Sequence, residues 1–452
     1  MLEVMLPQPK SLQETIKSTP GLSEPGSWHV IHIDTYMGWP LEAQSFDFEG
    51  KEIWVIPVAN DALPGLAVRN GGEDREAVFA CLYRALSLLS WLNNSGATVT
   101  SRSTGNRYFP MHVAENPRVS SRLHTFDLTS LPIIESDEAK LALALLREGR
   151  GLNHPAYSFL SFYRVLERAF PDGKARGKWM TDAVARMEGH RPKEALAKLI
   201  ENFDGDVGTH LRESGRGAVA HAIKRPVANP DNPSDYQRLS RERPIIEELA
   251  VMAIEEVFGI KTSHTLWREH LYELQGWKPR FGPDLIAVII QGGEPPAGTL
   301  VDLPKINVRL RESEPFPPLE GLQPQGWAVS DNKAEVQYAS DDGLVSVVLL
   351  LDFPNERLVL PEDLGIAFYD DGSVKAARVA KALTEFNHDY FGNGELQVWN
   401  AEDGSLMSKC GAFIPVNVMF NPEGARAELE ALDAEIVRRL MKPQGPVGLR
   451  AD

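Results

Sequence analysis

The sequence predicts a multidomain α+β protein in which a central all-α helical bundle is flanked by mixed α+β N- and C-terminal domains. The chain has 452 residues, which is more than one typical core accommodates. Its composition, 43% hydrophobic and 24% charged, is that of an ordinary globular protein. Along the chain the pattern changes from mixed to helical and then to strand-rich, which indicates separate domains.

The N-terminal part divides into a leader and a first domain. Residues 1–27 are rich in Pro, Ser and Gly and are expected to form a loose leader. Residues 28–134 are expected to form an α+β domain. Alternation of apolar residues predicts strands at 28–34 and within 45–59, and a broad apolar face predicts a helix at 73–92.

The middle of the chain, residues 135–262, reads as successive helices. Ser136 is suited to cap the first of them, and Pro155 is suited to the first turn of the next. The predicted helices lie at 135–149, 154–170, 178–189, 191–203, 215–224 and 242–259. Such a run predicts an all-α domain.

The last part of the chain is strand-rich. Residues 263–305 are expected to be a linker or helical connector, and residues 306–452 a C-terminal α+β domain. Predicted strands lie at 306–311, 326–330, 334–340, 344–353, 395–400 and 414–420, with helices at 372–388 and 424–441.

The charge distribution is uneven. The net charge is −16, which argues against a surface covered with nucleic-acid-binding groups. The segment 164–225, however, holds thirteen Lys or Arg and nine acidic residues, a local charge of +4. A small basic patch therefore remains compatible with the sequence.

Several classes of site and location are disfavoured. Cys81 and Cys410 are the two cysteines, too few for a disulfide framework or a cysteine zinc site. His29 and His32 would point to opposite faces of a strand, so no metal site is expected. Phosphate-loop, HExxH and nucleophile-elbow motifs are absent from the sequence, and we expect no cofactor. The sequence shows neither a signal-peptide pattern nor a membrane-spanning apolar run, so a cytoplasmic location without membrane contact is expected.

One short segment, LRESGRGAVAHAIK at 211–224, contains an arginine and a histidine separated by four residues. Pairs of this type, with four to six intervening residues, occur four times in the chain: Arg107/His112, Arg118/His124, Arg147/His154 and Arg216/His221. The first pair encloses Pro110, the second follows Pro117 in a loop-like stretch, and the third spans a predicted helix break at Gly149–Gly151. The fourth is predicted to lie on one short helix.

The local pattern suggests how that helix would be built. Ser214 is a good N-cap, and Pro226 requires the helix to end near Lys224. Arg216 would then lie in the first turn, where free amides favour a phosphate. In a regular helix His221 would lie about 140° around from Arg216, and small neighbours would let two such helices approach across a two-fold axis.

The residue types suit RNA cleavage without a metal. Histidine exchanges protons near neutral pH, and arginine stabilises the extra charge of a phosphoryl transition state. RNA supplies its own nucleophile, the 2′-OH. The alternative is structural: Arg216 pairs with an acid such as Glu167 while His221 packs in the helical core. The pattern alone leaves both interpretations open.

A family resemblance adds to this interpretation. The segments SFYRVLE, SGRGAVAHA and VANPDNP, followed by the helix IIEELAVMAIEEVFG, resemble the HEPN helical domains over about 135–262. They resemble in particular the methylamine-utilisation MauJ proteins and the ApeA-like HEPN group. The C-terminal domain resembles no family that we can name.

The resemblance implies a dimeric helical bundle with a composite, metal-independent endoribonuclease site, of the kind used by toxins and antiviral-defence effectors. It implies Arg216 and His221 as the catalytic pair, with Glu167 and Arg164 as candidates to orient them. Many HEPN nucleases have a polar residue directly after the arginine, whereas this chain has Gly217. That departure favours a second hypothesis, a non-catalytic MauJ-like binding or accessory protein whose flanking domains recognise a regulatory partner.

A basic segment completes the predicted RNA surface. DGKARGKW at 172–179 is predicted to be a loop whose Lys174, Arg176 and Lys178 follow an RNA backbone, with Trp179 as a stacking surface. A solvated loop without a ligand is the alternative. The predicted partners are therefore RNA, a second copy of the chain and a regulatory protein.

Overall fold

The computed structural model describes most of the chain. The described residues are 10–106, 122–123, 126, 128, 131–132, 134–221, 226–229, 231–271, 273–310, 316–361, 365–391, 395–411 and 421–441. Within these residues, no helix combines the length and the apolar character that crossing a membrane requires. The chain divides into two compact units, Met1–Ser263 and His264–Asp452.

The first unit begins with an antiparallel sheet and one helix packed on it. The strands are β1 Ser27–Thr35, β2 Trp39–Pro40, β3 Gln44–Phe48, β4 Lys51–Ile56, β5 Gly65–Asn70, β6 Ala97–Gly105 and β7 Arg122–Leu123. Five of them form a sheet in the order β3-β4-β5-β1-β6, and β2 pairs with β7 in parallel. The helix Arg75–Leu92, numbered α3 in chain order, buries its apolar face on the sheet. The chain turns between β3 and β4 at Glu49 and Gly50, which both have positive φ.

The expectation of a loose leader is wrong for its described part. Residues 12–23 form two short helices, α1 Leu12–Ser18 and α2 Pro20–Ser23. Leu12 and Leu22 are buried in a small apolar cluster with Trp28. The composition suggested a loop, but these two leucines have an apolar surface to cover, so the segment folds onto the sheet.

The second half of this unit is helical, as predicted. The elements are α4 Asp137–Gly151, α5 Pro155–Ala169, α6 Gly173–Val184, α7 His190–Asn202, α8 Val207–His210, a π-helix Leu211–Gly217, α9 Ala218–Ala220 and α10 Pro233–Val257. Apolar side chains of α4, α5 and α10 form the centre of its core. The Ser136 cap is confirmed, because its hydroxyl accepts a hydrogen bond from the Ala139 N–H at 3.0 Å. Pro155 occupies the first turn of α5, also as predicted.

The second unit combines antiparallel sheets with long helices. Its helices are α11 Ser263–Arg268, which begins at the boundary, α12 Lys278–Ile290, α13 Val374–Phe391 and α14 Pro422–Leu440. Its strands are β8 Ile306–Leu310, β9 Gln323–Ser330, β10 Lys333–Ala339, β11 Val345–Asp352, β12 Arg357–Val359, β13 Ile366–Phe368, β14 Glu395–Asn400 and β15 Leu406–Gly411. One sheet has the order β12-β11-β10-β9, with β13 also paired to β11, and the other has the order β15-β14-β8.

The segment predicted to be a connector contributes to this second core. Trp277 and Ile289 are fully buried and Phe281 nearly so, in the same cluster as the strands. Residues 264–305 are therefore a structural part of the second unit. The predicted strand at 414–420 and the pairs Arg107/His112 and Arg118/His124 include residues outside the described ranges.

Candidate Arg–His site

The element that carries Arg216 begins earlier than predicted. The helical segment starts at Val207, where Asp206 is the N-cap and its carboxylate accepts the Thr209 N–H at 2.7 Å. Hydrogen bonds from Thr181 and Thr209 hold the pKa of Asp206 below its usual range. Ser214 lies inside the π-helix and does not cap it. Arg216 is consequently not in a first helical turn, and the predicted phosphate position at free helix amides is wrong.

A glycine contact sets the position of the π-helix against α5. Gly215 is buried, and a Cβ atom built on it would lie 2.3 Å from Cζ of Phe159. Any larger residue would push the two elements apart. The Ala218 N–H reaches the Glu213 carbonyl five residues back, as a π-turn requires. The close approach brings Arg216 to the face of α5 that carries Glu167.

Arg216 joins the predicted site residues in one chain of contacts. Its Nη1 atom lies 3.1 Å from Nε2 of His221, and its Nη2 atom lies 3.1 Å from a carboxylate oxygen of Glu167. About one third of the Arg216 and Glu167 side chains is exposed. The Arg216 Nε is buried and has no hydrogen-bond partner. The guanidinium is thus held from two sides and still reaches solvent.

The contact fixes the tautomer of the histidine. A guanidinium has five N–H donors and no acceptor, so it must be the donor to Nε2. His221 therefore has its lone pair on Nε2 and its proton on Nδ1. In this arrangement the ring is neutral and has the form in which an imidazole accepts a proton.

The angle of about 140° predicted between Arg216 and His221 on a regular helix does not describe their positions in the structure. The helix ends at Ala220, and His221 has an extended backbone, with φ −128° and ψ 105°. A helical wheel assumed a regular helix to Lys224, whereas the structure turns the chain one residue before His221. Residues 222–224 of that predicted helix lie outside the described ranges.

Contacts with the buried carboxylate of Glu242 anchor this segment to α10. The His210 ring contacts Oε1 of Glu242 at 2.8 Å, and Arg238 donates to the other oxygen of Glu242 at 3.1 Å. Glu242 is almost fully buried. Because both of its oxygens have partners, the carboxylate is compensated and fixes α8, and with it the start of the π-helix.

Arg164 is not part of the same chain of contacts. It lies on α5 but points to Glu148 on α4, with 3.9 Å between its Nη1 and a carboxylate oxygen. It lies three positions before Glu167, so the two side chains are neighbours on one outward stripe of α5. Arg164 instead lines another cavity of this unit.

The predicted basic loop is a helix. Asp172 caps α6 by accepting the Ala175 N–H at 2.7 Å, and 173–179 are helical. Arg176 donates to the Phe170 carbonyl at 2.6 Å. Trp179 packs against the Phe170 ring, with centroids 4.6 Å apart, and donates to Glu256 at 2.9 Å.

These contacts leave the two lysines of α6 as its exposed cations. Lys174 and Lys178 are both exposed, whereas Arg176 and Trp179 are half-buried and engaged within the unit. Hydrogen bonds from Arg186 and Trp179 lower the pKa of Glu256, which therefore stays ionised beneath the helix. Any RNA contact of α6 would therefore rest on the two lysines.

Sequence reasoning missed an apolar recess beside the pair. It has a volume of about 60 Å³ and is lined by residues that include His154, Tyr157, Val219 and Tyr236. The two tyrosines are 56% and 47% exposed, which is unusual for rings of this size. The helical wheel of α5 places Tyr157 on the same outward stripe as Arg164, a signal that the sequence did contain.

The matched family covers this region. Residues 142–255 match the family model described as Methylamine utilization protein MauJ. This part of the chain is MauJ-like. The MauJ-like segment contains Glu167, Arg216 and His221 and extends from α4 into α10. Neither the curated proteins nor the solved structures contain a match to the chain.

The described residues offer neither a cluster of metal ligands nor a reactive thiol. They contain no group of three or more His, Cys, Asp or Glu side chains that would hold a metal ion. Cys81 and Cys410 are free and buried. Burial raises the pKa of Cys81 to about 11, so it is a thiol and not a thiolate near neutral pH. The Arg216 contacts are therefore the arrangement with the clearest chemical use.

Proposed function

We propose that the chain is a metal-independent HEPN-type endoribonuclease that acts as a homodimer, with Arg216 and His221 as its catalytic pair. The observation that carries this proposal is the 3.1 Å contact between the Arg216 guanidinium and Nε2 of His221. It brings a phosphate-binding cation and a proton acceptor to one exposed position. The MauJ-like match over the same residues supports it.

The chemistry follows from what each group offers. His221 accepts the proton of the RNA 2′-OH through its Nε2 lone pair, and the 2′-oxygen attacks the adjacent phosphorus. The bond to the 5′-oxygen breaks, and that oxygen takes up the proton that His221 accepted in the first step. The products are a 2′,3′-cyclic phosphate and a 5′-hydroxyl. Arg216 stabilises the additional negative charge on the phosphoryl oxygens during the attack.

Glu167 is proposed as a positioning residue. Its carboxylate holds the Nη2 side of Arg216 at 3.1 Å and leaves the Nη1 side for His221. When a phosphate binds, Arg216 exchanges the imidazole for phosphate oxygens and frees the Nε2 lone pair. The carboxylate keeps the guanidinium in place during that exchange.

The exposed apolar recess supports the dimer. Tyr157 and Tyr236 are each more than 40% exposed and line this recess together with Val219, which lies two positions before His221. A second copy that covers them would bring two Arg216–His221 pairs together. Sedimentation velocity would then give a species of twice 50.1 kDa.

A ribonuclease of this kind suits a toxin or antiviral effector that is held inactive until a trigger arrives. The flanking α+β regions are proposed to bind the regulatory partner. The predicted cytoplasmic location remains part of this proposal.

The first test compares substrates in the presence of EDTA. We expect the purified chain to cleave single-stranded RNA and to leave DNA of the same sequence intact, because DNA lacks the 2′-OH. The 3′ ends of the products should be cyclic phosphates, which mass spectrometry identifies. Equal cleavage of DNA, or ends that carry a 3′-hydroxyl, would contradict the proposal.

Removal of the two exposed lysines of α6 should weaken RNA binding. For the double variant Lys174→Ala/Lys178→Ala, we expect the salt dependence of log K for a single strand to become shallower by about 1.4, since each lost phosphate contact removes about 0.7. Fluorescence anisotropy at several salt concentrations measures this slope. Lys10→Ala/Lys17→Ala is the matched control, because it changes the charge equally on exposed residues far along the chain. An unchanged slope in the α6 variant would exclude α6 as an RNA contact.

A second candidate function is a non-catalytic MauJ-like binding or accessory protein. The observation in its favour is that Glu167 already compensates the Arg216 charge. Gly217 is a further argument: a Cβ there would lie 3.3 Å from the Arg212 carbonyl oxygen, so glycine fits the local packing without any catalytic reason. RNA binding without cleavage would favour this candidate.

A further inference from the structure

Another cavity of the first unit lies between α3, β6, α4 and α5. It has a volume of about 460 Å³, within the range of small-molecule sites. Its lining includes two arginines, Arg147 and Arg164. It shares no lining residue with the Arg216–His221 contacts.

Arg147 is the residue of this cavity that most clearly indicates a ligand. Its Nε is completely shielded and has no hydrogen-bond partner, and its guanidinium makes no hydrogen bond or ion pair with any described residue. Burial lowers the pKa of Arg147, while the nearby Glu148 and Tyr83 act in the opposite direction. Buried charges in proteins are normally paired, because an unpaired one costs several kcal/mol. An anion in the cavity would compensate this cation.

The contrast with Arg150, one helical turn further along α4, shows that the absence of a partner is particular to Arg147. Arg150 is more deeply buried than Arg147, and it donates to Glu247 at 2.8 Å and also contacts Asn94 and Ser90. The unit thus provides partners for one buried arginine and leaves the other facing the cavity.

The rest of the lining defines the class of ligand. Arg164 is half-exposed and meets Glu148 only at 3.9 Å, so a bound anion would not have to break a short ion pair. The hydroxyls of Tyr83 and Thr98 lie at the same cavity, and Leu145 and Leu152 supply an apolar wall. A ligand that suits these walls has a strongly anionic end and an apolar or aromatic body.

We propose that this cavity is a binding site for a small phosphomonoester, whose phosphate is held by Arg147 and Arg164 and whose body lies against Leu145 and Leu152. Two planar guanidinium groups match a group with three acceptor oxygens and nearly two negative charges. A carboxylate would satisfy only one of them in bidentate geometry. The site stands whether or not the chain cleaves RNA.

A change in stability distinguishes a ligand site from a structural arginine. Arg147→Met keeps the aliphatic stem and removes the uncompensated charge. We expect this variant to unfold at a higher temperature than wild type without ligand, because replacing an unpaired buried charge by an apolar group stabilises the fold. A structural role for Arg147 would give the opposite sign.

The binding experiment uses three probes on the full chain: AMP, inorganic phosphate and adenosine. Isothermal titration calorimetry should show AMP binding more tightly than phosphate or adenosine, and at least tenfold weaker AMP binding in Arg147→Met. Arg164→Met, at an exposed position, should also weaken AMP binding and serves if Arg147→Met fails to fold. Arg69→Met, an exposed arginine paired with Glu24, is the control and should bind AMP as wild type does. Equal binding of AMP and adenosine, no binding of any probe, or unchanged binding in both cavity variants would overturn the proposal.

Discussion

Replacing His221 with alanine should lower the rate of RNA cleavage by about a hundredfold or more, the range typical for loss of a general acid–base group. Among the described residues, the His221 ring contacts Arg216, which keeps its ion pair with Glu167 when the ring is removed. We therefore expect the variant to remain folded, with a thermal midpoint close to that of wild type. The measurement is the single-turnover rate on labelled RNA in EDTA.

Two further variants separate chemistry from binding. His190→Ala removes an exposed histidine at the start of α7 and should cleave as wild type does. Arg216→Lys keeps the charge but loses the fork that reaches two partners, so the rate should fall while RNA affinity changes less. Cleavage by His221→Ala at the wild-type rate would exclude the proposed role of this residue.

Replacing Arg150 with methionine should lower the free energy of unfolding more than any of the substitutions above. Its side chain is 5% exposed and lies 2.8 Å from Glu247, which is 28% exposed. Without the guanidinium, a largely buried carboxylate and the polar groups of Asn94 and Ser90 lose their partner. We expect the free energy of unfolding to fall by about 3 kcal/mol, toward the low end for a broken buried pair because Glu247 has some access to water.

Chemical denaturation of the full chain, followed by tryptophan fluorescence, measures this loss. The double variant Arg150→Met/Glu247→Leu should recover most of it, because no unpaired charge then remains. Lys198→Met is the matched control, since the Lys198–Glu194 pair is exposed and should contribute less than about 0.5 kcal/mol. A loss in Arg150→Met no larger than in this control would contradict the argument.

The strands and helices that were predicted correctly share a strong periodic pattern, whereas β5, β6, β12, β13 and β15 were not predicted. The strand at 395–400 has the predicted bounds, and α4 and α5 begin where Ser136 and Pro155 indicated. The fold class follows from the same patterns: the chain is mixed α+β with a helical middle. These are local properties, and a single sequence contains them.

The first residue of a helix was less predictable where more than one nearby residue could cap or interrupt the helix. The last helix of the bundle was expected from residue 242, but α10 begins at Pro233, capped by Asn232, and continues through Pro244. Packing against α4 and α5 outweighs the cost of an internal proline. The same competition made Asp206, and not Ser214, the cap of the segment that carries Arg216.

The site itself was predictable in its residues but not in its geometry. The sequence identified Arg216 and His221 as the proposed catalytic pair. It also identified Arg216 and Glu167 as the ion pair of the alternative interpretation. Their contact depends on Gly215 packing against Phe159 and on the helix ending at Ala220, which no periodic pattern contains. Arg147 was missed for a different reason, since only a structure shows that a cation lacks a partner.

Because Leu211–Gly217 is a π-helix, the number of residues in this segment is constrained. A π-turn accommodates one residue more than an α-turn between the same two hydrogen-bonded levels. Deleting one residue between Leu211 and Gly215 would let the segment close as an ordinary α-helix with little loss of hydrogen bonding. The residues that precede the deletion would, however, shift by about 100° relative to those that follow. Homologues that keep the Arg216–His221 contact should therefore conserve the number of residues here more strictly than their identity.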